Sequence, residues 1–170
     1  VQRLHIEKDD SVIFYFSGHG YRTYKKSTPW PYLTFEYYKQ GLDIHWVVTT
    51  IRSKKPQFAL IVSDCCNNFM ENGMFGKETK NIVIKLRQGA PLFSGYRQLF
   101  TQAKGCIVVS SCSEGQFSYG SSFGGLYTHC FFSSLNRELQ KPKPSWKNLL
   151  QRANGFINHI QKPICQIYPL

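Results

Sequence analysis

Two stretches of the chain place reactive side chains directly after apolar runs. Phe58-Ala59-Leu60-Ile61-Val62-Ser63 leads into Asp64-Cys65-Cys66-Asn67-Asn68, and Ser11-Val12-Ile13-Phe14-Tyr15-Phe16-Ser17 leads into Gly18-His19-Gly20. A free thiol is mostly protonated near neutrality, whereas a nearby imidazole favours the thiolate and can later protonate a leaving amine. A cysteine and a histidine at neighbouring strand exits therefore have the ingredients of nucleophilic catalysis. Packing is the competing reading, since free cysteine is among the most buried residue types. The two stretches taken singly leave both open.

The elements that would bring them together are strands. A short unbroken apolar run rich in β-branched residues reads as a strand buried on both faces, and the rim of such a sheet is where chemistry sits. If both runs are adjacent parallel strands ending on the same rim, His19 lies beside Cys65-Cys66. The interval between them accommodates one right-handed crossover unit.

The 170 residues suit one domain with a full core, and 42% hydrophobic content with 15% aromatic places the chain among globular proteins rather than disordered ones. The chain opens on Val1 and runs almost directly into a strand, so it reads as a single domain over 1–170 lacking its first strand or strands and helix. No apolar run is long enough to span a bilayer and no signal peptide is visible, so no membrane partner is expected. Cys65, Cys66, Cys106, Cys112, Cys130 and Cys165 lack zinc spacing and several sit in apolar runs, which disfavours a metal cluster or a disulfide framework and favours a reduced, cytoplasmic setting. The net charge of +11 raises nucleic acid or acidic partners, but the basic residues are scattered without a recognisable nucleic-acid motif and read as a solvated surface.

In chain order, the prolines around Trp30 forbid a helix, and the aromatic run Tyr32 to Tyr38 reads as a short strand. Trp30 and these tyrosines either line a groove or form a cluster beneath the loop. Leu42 to Lys54 has helical spacing, with Asp43 in its first turn, and Tyr96–Ala103 is a possible short helix. Cys106 to Ser111 is a third buried strand. Gly125 to Gln140 and Ser145 to about Gln161 are helices, the second capped by Ser145, and Ile164–Tyr168 begins a further strand. Alternating β and α elements predict an α/β fold with a mostly parallel sheet and helices on both faces.

The strand exits, together with Ser110-Ser111-Cys112-Ser113-Glu114-Gly115-Gln116-Phe117-Ser118 and Gly124-Gly125-Leu126-Tyr127-Thr128, resemble the caspase-like cysteine peptidases, most nearly metacaspases and bacterial caspase homologues. The resemblance covers nearly the whole chain and implies a three-layer sandwich. It implies His19 as the catalytic histidine, Cys66 as the nucleophile with Cys65 as spacer, and the backbone N–H groups of Gly20 and Cys66 as the oxyanion site. It also implies Asp64 as an acid facing the substrate side chain before the scissile bond (P1), with Ser17 as a pocket wall. The expected reaction is endopeptidase cleavage of a protein or peptide after Arg or Lys.

Asn67-Asn68 departs from the residues that usually follow the nucleophile in that family, so a catalytically silent scaffold or signalling module is the alternative. Few acidic residues follow Cys66, so no metal or other cofactor, calcium included, is expected. The basic segment from Lys77 through Lys80 and Lys85 to Arg87 suggests self-processing, with a solvated basic loop as the rival reading.

Overall fold

The computed structural model describes residues 1–35, 41–69, 93–121 and 124–170. The basic segment 77–87 considered for self-processing lies outside them. Strand β1 (Ser11–Ser17) comes first, followed by three two-residue strands: β2 (Gly20–Tyr21), β3 (Tyr32–Leu33) and β4 (Leu42–Asp43). Helix α1 (Ile44–Ser53) and strand β5 (Phe58–Asp64) complete the first crossover.

Strand β5 is buried along its whole length. Successive strand side chains point to opposite faces, so Phe58, Leu60 and Val62 enter one core while Ala59 and Ile61 enter the other. This is why the run has no polar alternation. Strand β1 pairs with β5 in parallel, and β6 (Gly105–Ser110) pairs in parallel on its other side. After a pair of two-residue antiparallel strands, β7 (Gly120–Ser121) and β8 (Gly124–Gly125), strand β9 (Ile164–Tyr168) closes the central sheet antiparallel to β6, giving the order β1-β5-β6-β9.

Helix α1 covers one face with Ile44, Val47, Val48 and Ile51. Asp43 serves as its N-cap rather than as a first-turn residue, its carboxylate accepting the His45 N–H at 2.8 Å. The other face carries α3 (Leu126–Leu139) and α4 (Trp146–Ile157), which pack on each other and on Phe58, Leu60 and Val62. The short helix α2 (Phe93–Tyr96) continues as a π-helical turn, Arg97–Thr101, and contributes Leu99 to this core. Each fully buried side chain of this size contributes about 1.5–3 kcal/mol. The result is the mostly parallel α/β sandwich with helices on both faces that the alternation predicts.

Several local expectations are corrected. Strand β1 is not buried on both faces: among the described residues it pairs only with β5, and Ile13 and Tyr15 are exposed. The aromatic run yields only Tyr32–Leu33 as strand within the described residues, set between β2 and β4 in a small antiparallel sheet. Of the two readings of Trp30, the cluster beneath the loop holds: the residue is fully buried with Leu33 against α1. Helix α4 ends at Ile157, short of Gln161. The basic residues are not all solvated either. Arg22 is fully buried, and Lys26 is held at 2.6 Å from Asp43 and over the ring of Tyr32.

The α3–α4 hairpin is fastened by a buried acid. Glu138 accepts from Arg152 at 3.0 Å, Lys141 at 2.9 Å and the Ser145 N–H at 3.0 Å. Burial alone would raise its pKa, but these donors outweigh burial and hold the carboxyl below its ordinary value. A depressed carboxyl stabilises the fold above its unfolded pKa and ceases to do so as pH falls through the folded value. Glu138→Gln is therefore expected to lose about 2 kcal/mol at pH 7. In urea unfolding, the gap to the unsubstituted protein should close as pH falls below 4.5.

Candidate active site

The register of β1 on β5 sets the geometry at the rim. Ser17 pairs with Asp64, and the ladder runs one step further as Gly18 N–H donates to the Asp64 carbonyl at 3.1 Å. His19 and Cys66 each follow that pair by two residues, so both strand exits leave the sheet side by side. The side chain of His19 is exposed, and its carbonyl accepts the Thr34 N–H at 2.9 Å, which ties this exit to the end of β3.

Gly20 fits the space between the exits. A Cβ built there would lie 2.5 Å from Cys65 Sγ and 2.6 Å from the Cys66 carbonyl oxygen, closer than real atoms approach. Its lack of a side chain thus permits the contact between the two strand exits, a reason distinct from any part in holding an oxyanion. Cys65 is buried between the sheet and Cys112, its N–H donating to Ser111 Oγ at 3.1 Å. Burial pushes its thiol well up, so it is inert.

Cys66 is half-buried at the rim. Burial also raises its thiol pKa, while a 3.4 Å hydrogen bond from the Ser118 N–H acts in the opposite direction. The thiol of Cys66 faces the Ser118 carbonyl at 3.7 Å, so the backbone of Ser118 flanks the sulfur.

The loop after Cys66 is held by Asn67, which is fully buried. Its side chain accepts from Arg22 Nη1 at 3.1 Å and donates to the Pro29 carbonyl at 2.8 Å, and its N–H donates to the Gln116 carbonyl at 3.0 Å. Arg22 also donates to the Thr28 carbonyl at 3.1 Å and pairs with Glu114 at 3.2 Å. The Asn67 departure from the family pattern therefore supplies a set of loop anchors.

Asp64 ends β5 with its carboxylate nearly enclosed, the residue being 3% exposed. Ser118 Oγ donates to Oδ1 at 2.8 Å, and Thr128 donates to Oδ2 from its N–H at 2.8 Å and from its hydroxyl at 2.7 Å. Gly125 is the N-cap of α3 and offers no capping side chain. Asp64, brought by another element, does that work and also places negative charge at the helix N-terminus. A Cβ on Gly125 would fall 2.0 Å from Asp64 Oδ2. Ser17 sits across from Asp64, exposed at the end of β1.

The geometry thus gathers Ser17, Gly20, Asp64 and Cys66 at one rim, with His19 at the same strand exit. Sequence reasoning quoted Ser118 and Thr128 but gave neither a role, and it passed over Arg22. One signal was available for Thr128: a helix start preceded by Gly-Gly has no cap of its own and calls for an acid from elsewhere.

The family model for the caspase domain, Peptidase C14, matches residues 1–168. The chain belongs to the caspase-domain family, whose chemistry is that of cysteine peptidases. A comparison with curated proteins gave no match. Among the described residues no helix is long and apolar enough to cross a membrane, and no group of three or more His, Cys, Asp or Glu side chains could hold a metal ion.

Two measurements follow from the rim. Gly20→Ala forces a methyl group onto backbone that cannot yield cheaply, and a fall in melting temperature together with loss of Cys66 reactivity is expected. A raised thiol pKa leaves little thiolate at pH 7. Alkylation of Cys66 by iodoacetamide should therefore accelerate about tenfold per pH unit up to and beyond pH 9.0. A rate already level from pH 6 would contradict a raised thiol.

Proposed function

We propose that the protein is a cysteine endopeptidase that cleaves after arginine or lysine, with Cys66 as nucleophile and His19 as its acid–base partner. What supports this most is the β1–β5 register, which sends the two residues off adjacent parallel strands at equal steps beyond Ser17 and Asp64. In this reading His19 takes the proton from Cys66 Sγ as the sulfur attacks the scissile carbonyl carbon. The C=O π pair moves onto oxygen, and the resulting oxyanion accepts from the N–H groups of Gly20 and Cys66. When the C–N bond breaks, His19 returns its proton to the leaving amine. Water then attacks the thioester carbonyl, and the thiol is regenerated with release of the new carboxyl terminus.

The raised thiol is compatible with this sequence, because the imidazole has to accept the proton during the attack rather than before it. The Ser118 N–H beside the sulfur stabilises the thiolate as it forms. Asp64 supplies the negative charge that would draw a basic P1 side chain, and Ser17 forms the neighbouring wall. Its substrate is a protein or peptide; no membrane or dedicated nucleic-acid partner enters the proposal.

Turnover of fluorogenic peptides ending in Arg or Lys tests the assignment. Cys66→Ala should abolish it, and His19→Ala should lower kcat by a factor of about 10²–10⁴ while leaving Cys66 open to alkylation at high pH. Asp64→Ala should lose basic-P1 turnover with the sulfur still alkylated. Unchanged P1 preference in Asp64→Ala would refute the pocket assignment, and Cys66-independent turnover would refute the nucleophile.

A further inference from the structure

The hydrogen-bonding capacity of Asp64 is almost fully used by the chain itself. An ionised carboxylate offers about four acceptor positions, two on each oxygen. Oδ2 has both filled by the Thr128 N–H and hydroxyl, and the backbone of Gly125 lies against the same oxygen. Oδ1 has one filled by Ser118 Oγ, which is itself held by Gln161 Nε2 at 3.3 Å and lies 2.9 Å from Ser111 Oγ. Among the described residues one position remains, on Oδ1.

Arginine gains its usual advantage over lysine at a carboxylate by laying two parallel N–H groups across both oxygens. With Oδ2 closed, that fork has no second acceptor. An ammonium is a compact point charge that needs a single direction of approach. We propose that Asp64 makes the enzyme prefer lysine over arginine at P1, with Ser118 as the residue that sets the preference. Ser118 acts as a positioning residue in this scheme: its hydroxyl decides how many acceptor positions Oδ1 presents.

This rests on the reading of Asp64 as the acid of the P1 pocket, and the experiment separates the two. Two fluorogenic peptides identical except for Lys or Arg before the scissile bond are compared by kcat/KM, with Cys66→Ala as the blank. The unsubstituted protein should favour Lys by about five- to tenfold, the cost of leaving one guanidinium N–H without an acceptor. Ser118→Ala keeps the N–H beside Cys66 Sγ but frees a second position on Oδ1, so two guanidinium N–H groups can converge there. The Lys:Arg ratio should then fall about tenfold, whatever happens to the two rates together, a pattern that general loosening of the loop would not produce.

An unsubstituted protein that cleaves Arg as well as Lys, or better, overturns the preference and leaves the basic-pocket reading standing. An alkylatable protein that cleaves neither peptide overturns both. Should Ser118→Ala fail to fold, the ratio in the unsubstituted protein still decides.

Discussion

The parallel hydrogen-bonded register between β1 and β5 is the constraint on which the rest of the site depends. A strand can pair in many registers, and a shift of one residue would turn every side chain to the opposite face. Here the choice is fixed by what each face must bury. Val12, Phe14 and Phe16 lie against the α1 side together with Ala59 and Ile61, whereas Phe58, Leu60 and Val62 face α3 and α4. A slip of one would push Val12, Phe14 and Phe16 toward solvent and bring Tyr15 and Ser17 into the core. Hydrophobic burial far from the rim therefore determines which residues meet at it.

Beyond the last ladder bond the central sheet ends, and side-chain hydrogen bonds join a few backbone ones, such as that from the Arg22 N–H to the Asn68 carbonyl at 2.9 Å, in holding the two exits. Asn67 fixes the segment after Cys66 to the Pro29 turn and the Gln116 turn, and Arg22 ties the same asparagine to Glu114. Asp64 joins the end of β5 to the start of α3, and Gln161 steadies Ser118 and the Ser111 carbonyl. Burying such groups is costly unless their partners are in place. The cost is a form of specification: a loop displaced by an ångström leaves several buried donors or acceptors empty at once.

The strand exits were legible in the sequence because a doubly buried strand writes itself as an unbroken apolar run, and the polar residue that ends the run marks the rim. Helices α1, α3 and α4 were legible for the same reason at a different period. The exposed face of β1 was not, since Val-Ile-Phe-Tyr-Phe looks apolar on both faces although Ile13 and Tyr15 are exposed. Two-residue strands such as β2, β3 and β4 are too short to carry a period. The early end of α4 was hidden by Gln161, whose apparent place in the helix is instead a buried position where its amide serves Ser111 and Tyr119. The partners of Asp64 were hidden most thoroughly. Ser118 and Thr128 lie 54 and 64 residues away along the chain, and neither a hydroxyl nor a backbone N–H leaves a mark in local patterning.

The resting site is arranged more for geometry than for charge. Burial pushes the Cys66 thiol up, and the hydrogen bond its sulfur accepts from Ser118 comes from backbone, which cannot swing away. A thiolate held permanently in this setting would have to be stabilised before substrate arrives, and part of that stabilisation would reappear in the barrier to attack. A neutral thiol beside fixed N–H donors stores no such stabilisation. In the proposed reaction these donors would strengthen as negative charge reaches sulfur or the carbonyl oxygen, so their contribution would grow toward the transition state. The same residue that donates its N–H to the sulfur holds Asp64 by its hydroxyl, which makes the Ser118 loop a common boundary of Cys66 and Asp64. Displacement of that loop would disturb both together, so the anchoring of its neighbours by Gln161 and Asn67 belongs to the chemistry as much as to the fold.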